Sequence, residues 1–151
     1  NPMNALAGDI VGRIPVVYCA GDLEAAGLRW RGQLQENAKH MTFGNVLPEM
    51  NHNELEGWEH PREVLAQLSV ILLRSTADEH PRVARRLAMT KEILEGKGIP
   101  VSEVHAEGMT RLERLLSLIA MGDWVSYYLA IRGGIDPTPI PVMAALKAKL
   151  A

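Results

Sequence analysis

A single cysteine, Cys19, stands in the 151 residues, which excludes an intrachain disulfide and suits a reducing cytoplasm. It closes the apolar run Ile14 to Cys19, where a free thiol beside Val and Tyr reads as a small buried hydrophobe rather than a nucleophile. No apolar stretch approaches the roughly 20 residues a membrane helix needs, and no charged, then apolar, then small-residue leader is present. Excess charge of one sign is lacking too. The net charge is −2, and without a clustered basic face there is no electrostatic reason to expect nucleic acid. The basic groups that do gather, Arg82, Arg85 and Arg86, are spaced for a solvated helical face. There is no Walker loop, dinucleotide fingerprint, nucleophile elbow or Cys-based metal signature, no internal repeat and no low-complexity segment. The chain opens at Asn1 without an initiator Met, which fits a processed product or a piece of a longer polypeptide.

What is there fits one globular domain, with 47% hydrophobic residues and a length that allows a single core. Residues Asn1 to Gly12 show no clean period and read as an entry segment. Ile14 to Cys19 is continuously apolar, as a strand buried on both faces should be. Asp22 is placed to cap the following helix, whose Leu23, Ala26, Trp30 and Leu34 share one face; Gly27 and Gly32 allow close packing. His60 to Glu63 begins a short helical turn, and Gln67 to Arg74 is the clearest strand. A helix from Glu79 to Gly96 carries Pro81 in its first turn, and Ile99 to Ala106 is a third strand. Thr110 to Ile131 is a long helix with a wide apolar face, and Val142 to Leu150 a last short one. This alternation predicts an α/β fold, a mainly parallel sheet flanked by helices in a three-layer sandwich.

The segment Leu28 to Trp58 concentrates the chemically capable side chains, among them Glu36, Lys39, His40, Glu49, His52, Glu54 and Glu56, interleaved with Asn37, Asn45, Asn51 and Asn53. Such a mixture favours turns that present side chains over long regular elements. His52 and His60 with Glu54 and Glu56 could gather around zinc, but their spacing is not HExxH and offers no i, i+4 His pair. His80 and His105 read as a helix-start and a strand-end residue. Glu36, His52 and Lys147 are the residue types of a non-metal isomerase: a carboxylate for carbon-acid chemistry, an imidazole and an ammonium for sugar oxygens. Spacing alone cannot bring them together, and a surface residue near a helix end remains the other reading of Glu36.

Gln35-Glu36-Asn37-Ala38-Lys39, followed by Asn45-Val46-Leu47-Pro48-Glu49-Met50-Asn51-His52-Asn53-Glu54, resembles the second half of the bacterial and archaeal bifunctional phosphoglucose/phosphomannose isomerases. The tail from Tyr128-Leu129-Ala130-Ile131 through Asp136-Pro137-Thr138-Pro139-Ile140 to Leu146-Lys147 resembles that family's C-terminus. The resemblance spans nearly the whole chain. It implies one sugar isomerase (SIS) domain of two, with an N-terminal SIS domain expected ahead of it.

The same resemblance assigns roles. Glu36 matches the carboxylate that moves a proton between C1 and C2 of the open sugar through a cis-enediolate. His52 matches the histidine that helps open the ring, reaching the site from the other subunit of a homodimer with shared active sites. Lys147 matches the lysine that assists ring opening, with Lys149 as the alternative alignment, and Thr138 is a candidate for admitting both epimers. The implied substrates are glucose 6-phosphate and mannose 6-phosphate, interconverted with fructose 6-phosphate; no cofactor, metal, nucleic acid or membrane is implied. The family's Ser/Thr-rich phosphate loop and enediolate-steadying arginine belong to the first domain, and Ser75-Thr76 is too little to replace that loop. A chain lacking them should be incomplete as a catalyst. The alternative is a non-catalytic sugar-phosphate-binding or dimerisation SIS module.

Overall fold

A computed structural model describes residues 1–150 as four parallel strands in the order β2-β1-β3-β4, with helices on both faces. Helix α1 (Pro2–Ile10) opens the chain, with the Asn1 side chain accepting from the Met3 N–H and Pro2 in the first turn, where its missing N–H costs nothing. Strand β1 (Ile14–Ala20) is central and almost wholly buried, as its continuous apolarity predicts. Its side chains alternate between two cores. Val17 and Cys19 meet α1, α2 (Glu24–Glu36) and α6 (Arg111–Arg132), whereas Val16 and Tyr18 meet α3 (Glu49–His52), α4 (Arg62–Leu65) and α5 (Pro81–Gly96). Strands β3 (Leu68–Arg74) and β4 (Val101–His105) extend the sheet on the far side, and α7 (Pro141–Leu150) ends the described chain with every residue exposed.

Two local expectations change. Within the segment Leu28 to Trp58, expected to favour turns, Phe43–Leu47 forms strand β2, paired with β1 from Val16–Phe43 to Ala20–Leu47. Gly44 is what lets it lie there: a Cβ at this position would stand 2.3 Å from the Val17 carbonyl oxygen. A sheet of four strands therefore replaces the expected three. Asp22 does not cap α2; it sits in a 3-10 turn (Gly21–Leu23), and the residue at the cap position, Leu23, makes no side-chain capping bond. Elsewhere, Gly27 does serve close packing, since a Cβ there would be 2.8 Å from Cys19 Sγ, whereas nothing lies near Gly32. His80 starts α5 by accepting from the Arg82 N–H, and Thr110 with Glu113 forms a capping box at the start of α6.

Helix α6 is fastened to α2 by Trp30. Its indole is fully buried and donates to the Leu118 carbonyl at 2.6 Å, and it lies so close to Gly122 that a Cβ there would stand 2.6 Å from the indole nitrogen. Burial pushes the Cys19 thiol up to about 12, so the lone cysteine is a packing residue and not a thiolate.

Candidate active site

Glu36 is the last residue of α2, and the polar side chains on either side of it are spent on structure. Asn37 Nδ2 donates to Ser126 Oγ of α6 at 2.9 Å, and Gln35 Nε2 to the Thr42 carbonyl at 2.8 Å. Lys39 adopts φ 52°, in the left-handed region, turning the chain back so that its Nζ reaches the carbonyls of Glu36 at 2.9 Å and Pro137 at 3.1 Å. An ammonium on the last carbonyls of a helix also complements its dipole. His40 Nε2 bonds to the Arg13 carbonyl just ahead of β1. Among the described residues, the Glu36 carboxylate alone of this group has no polar partner. It opens onto a cleft of about 650 Å³, bounded by Gln35, Lys39, His40 and Met41 on one side and Ile140 to Met143 on the other. That size falls within the range of small-molecule sites.

The second motif is built the same way. Asn51 Nδ2 donates to Thr90 Oγ1 of α5 at 2.8 Å, Asn53 Nδ2 to Glu49 Oε1 at 2.9 Å, and Asn53 Oδ1 accepts from the Glu54 N–H. Glu54 receives Asn45 Nδ2 at 2.8 Å and the Tyr18 hydroxyl, which in turn accepts from Trp58 Nε1 at 3.1 Å. Burial and the adjacent Glu54 carboxylate push the Tyr18 phenol well above its ordinary range, so it acts as a fixed donor. His52, at the end of α3, is exposed, and its imidazole makes no hydrogen bond among the described residues. Each motif thus uses its amides and most of its charges as scaffold and leaves one chemically capable side chain unengaged.

The fold separates those two side chains. Glu36 precedes β2 and lies with His40 at the edge where the parallel strands begin; His52 follows β2, at the edge where they end. Five residues of strand stand between these edges, about 16 Å at the usual rise. One chain does not bring Glu36 and His52 together. Lys147 and Lys149 lie on exposed α7, whose first turn borders the Glu36 cleft, and neither ammonium has a partner among the described residues. Thr138 sits in the preceding turn, its N–H donating to Asp136 at 2.9 Å; that bond, first among its influences, holds the Asp136 carboxyl below its usual range. Lys39, which ties this turn to the end of α2, is the residue whose importance the sequence conceals, because nothing in a Lys signals a left-handed backbone.

In open α/β sheets ligands favour the carboxyl edge at the switch point, here between β1 and β3. The small crevice at that place is lined by Asp22, Ser75, Asp78, Glu79 and His80. Arg114 and Ser75 hold the Asp78 carboxyl below its usual range, and Glu79 is paired with Arg74. A phosphate dianion would meet carboxylates there, not a cradle of donors. Among the described residues no group of three or more His, Cys, Asp or Glu could hold a metal ion, and no helix is long and apolar enough to cross a membrane.

A four-stranded parallel sheet between two helical layers, with unengaged polar side chains at both ends of its strands, defines an α/β sandwich domain with candidate site residues at its edges. The family described as the bacterial phospho-glucose isomerase C-terminal SIS domain matches residues 1–150, and the chain belongs to it. Among its relatives is a bifunctional phosphoglucose/phosphomannose isomerase of Caldicellulosiruptor bescii, 40% identical over 140 residues, covering 92% of this chain and 41% of that protein. A protein of the same name from Aquifex aeolicus is 39% identical over 145 residues, covering 96% of this chain and 45% of its own length. The crystal structure of a glucose-6-phosphate isomerase-like protein from Thermus thermophilus superposes with a TM-score of 0.75 at 27% identity, covering 95% of this chain and 47% of the other. The chain therefore spans somewhat under half the length of the relatives it matches.

Proposed function

We propose that this domain supplies the proton-transferring half of an aldose-ketose isomerase that interconverts glucose 6-phosphate or mannose 6-phosphate with fructose 6-phosphate. The observation that carries the reading is the unengaged Glu36 carboxylate at the mouth of a cleft of small-molecule size, beside Gln35, Asn37 and Lys39, which each bond to the scaffold. In this reading Glu36 takes the proton from C2 of the open aldose and returns it to C1 through a cis-enediolate, while His52 and Lys147 assist ring opening. The opposite-edge positions of Glu36 and His52 favour a homodimer in which His52 serves the partner subunit's site. A base on carbon works best in a site that excludes water, yet Glu36 is exposed here, and the switch-point crevice is acidic. Both facts favour an N-terminal SIS domain that covers Glu36 and holds the phosphate. The buried lone thiol fits a cytoplasmic setting.

The test is turnover of fructose 6-phosphate by the 151-residue chain and by the protein carrying an upstream domain. The longer protein is expected to isomerise and the shorter one to remain near background. Robust turnover by the short chain overturns the need for a second domain. The separation of Glu36 from His52 within one chain also suits a non-catalytic sugar-phosphate-binding module. Binding of fructose 6-phosphate without isomerisation by the longer protein would select that reading.

A further inference from the structure

Helix α6 carries apolar side chains on two sides, but only one of those sides is covered. Inward, Leu118, Gly122, Val125, Ser126, Leu129 and Ala130 are buried. Outward, Leu112, Leu116, Trp124, Tyr127 and Ile131 are 43% to 65% exposed, at spacings that keep them on one stripe about 28 Å long. At one end the aromatics are already ordered against each other: Trp124 stacks on Tyr128 with centroids 5.9 Å apart, and Tyr127 stands edge-on to both. An apolar surface of this extent, rich in Trp and Tyr, marks an interaction face.

Where the chain enters identifies its occupant. Asn1 Nδ2 donates to the Tyr128 hydroxyl at 3.0 Å, and Arg132 Nε donates to Asn4 Oδ1 at 2.9 Å, so polypeptide leading into Asn1 emerges beside the aromatic cluster. More than half of each relative's length lies outside the match, and the family's description as a C-terminal domain puts that length upstream. We propose that the outer face of α6 is the seat of an upstream domain of the same polypeptide, with Trp124, Tyr127 and Leu116 as its anchors. This rests on the reading that such a domain precedes Asn1, but not on the reaction it catalyses.

The test uses the protein from its complete reading frame. Leu116→Cys places a thiol on the stripe, and Met89→Cys, at a position 51% exposed on α5 of the opposite layer, is the control; native Cys19 is buried. Maleimide labelling is followed on the peptide carrying each new thiol. The position-116 thiol is expected to react at least about tenfold more slowly than the position-89 thiol, unchanged on dilution. Equal rates overturn the proposal. Protection that disappears on dilution assigns the face to a second copy and also overturns it, as does a reading frame with no domain ahead of Asn1. Isomerase activity is measured on the same samples: dilution-independent protection in an inactive protein retains the docking and sinks the isomerase reading.

Discussion

Glu36 is exposed at the end of a helix, a position where a carboxylate ordinarily does nothing but meet solvent. What distinguishes it is its surroundings. Asn37, Lys39 and Gln35 are fixed by bonds to α6, to the turn at Pro137 and to Thr42, so the carboxylate is carried on a rigid corner that faces a cleft. Preorganised placement of this kind is what a general base requires. Glu36→Gln in the protein from its complete reading frame keeps the shape and removes the basicity. We expect exchange of the C2 proton with solvent deuterium, followed by NMR, to fall by roughly 10²- to 10⁴-fold, while fructose 6-phosphate binding by calorimetry is retained. Exchange that persists in the variant reassigns the base.

Among the elements, β2 shows best where sequence reading stops. Strands β1 and β3 announce themselves by continuous apolarity, α5 by its period and Pro81, and α6 by its wide apolar face. In β2, Gly44 and Asn45 followed by Pro48 look like turn chemistry. Their actual work is tertiary: Gly44 clears the Val17 carbonyl, and Asn45 reaches Glu54, itself engaged by buried Tyr18. The same limit applies to the site. Glu36 and His52 could be named from their motifs, but their positions at opposite sheet edges depend on the very strand that was hidden. Gly44→Ala tests the strand's seating. The added methyl meets backbone, which cannot swing aside, so β2 must move off β1, at a cost of about 1–3 kcal/mol and upward. Urea unfolding should show a lower midpoint at unchanged slope, whereas Gly32→Ala, exposed inside α2 with open space around it, should raise the midpoint slightly, by the roughly 0.5–1 kcal/mol that Ala gains over Gly within a helix.

For the molecule as a whole, carboxylates held low by their cationic partners contribute to its acid sensitivity. Burial alone would raise Glu103, but its bonds to Arg74 at 2.7 Å and Lys91 at 2.9 Å more than offset this and hold its carboxyl low; Arg114 and Ser75 do the same for Asp78. A depressed carboxyl contributes stability that is complete above its unfolded value, about 4, and is lost as pH falls through the folded value. Thermal unfolding should therefore be insensitive to these groups from neutrality down to about pH 5 and fall progressively below pH 4. Arg74→Met should flatten that decline. Assembly is tested by the separation of Glu36 from His52. If each site takes Glu36 from one subunit and His52 from the partner, then Glu36→Gln and His52→Asn variants, each inactive alone, will complement when unfolded and refolded together. A mixed dimer pairs the intact Glu36 of one chain with the intact His52 of the other at one of its two sites. Random pairing makes half the dimers mixed, so activity should return to roughly a quarter of the parent's. If both residues served one site within a single chain, no pairing of these variants could hold an intact site, and the mixture would stay as inactive as its parts.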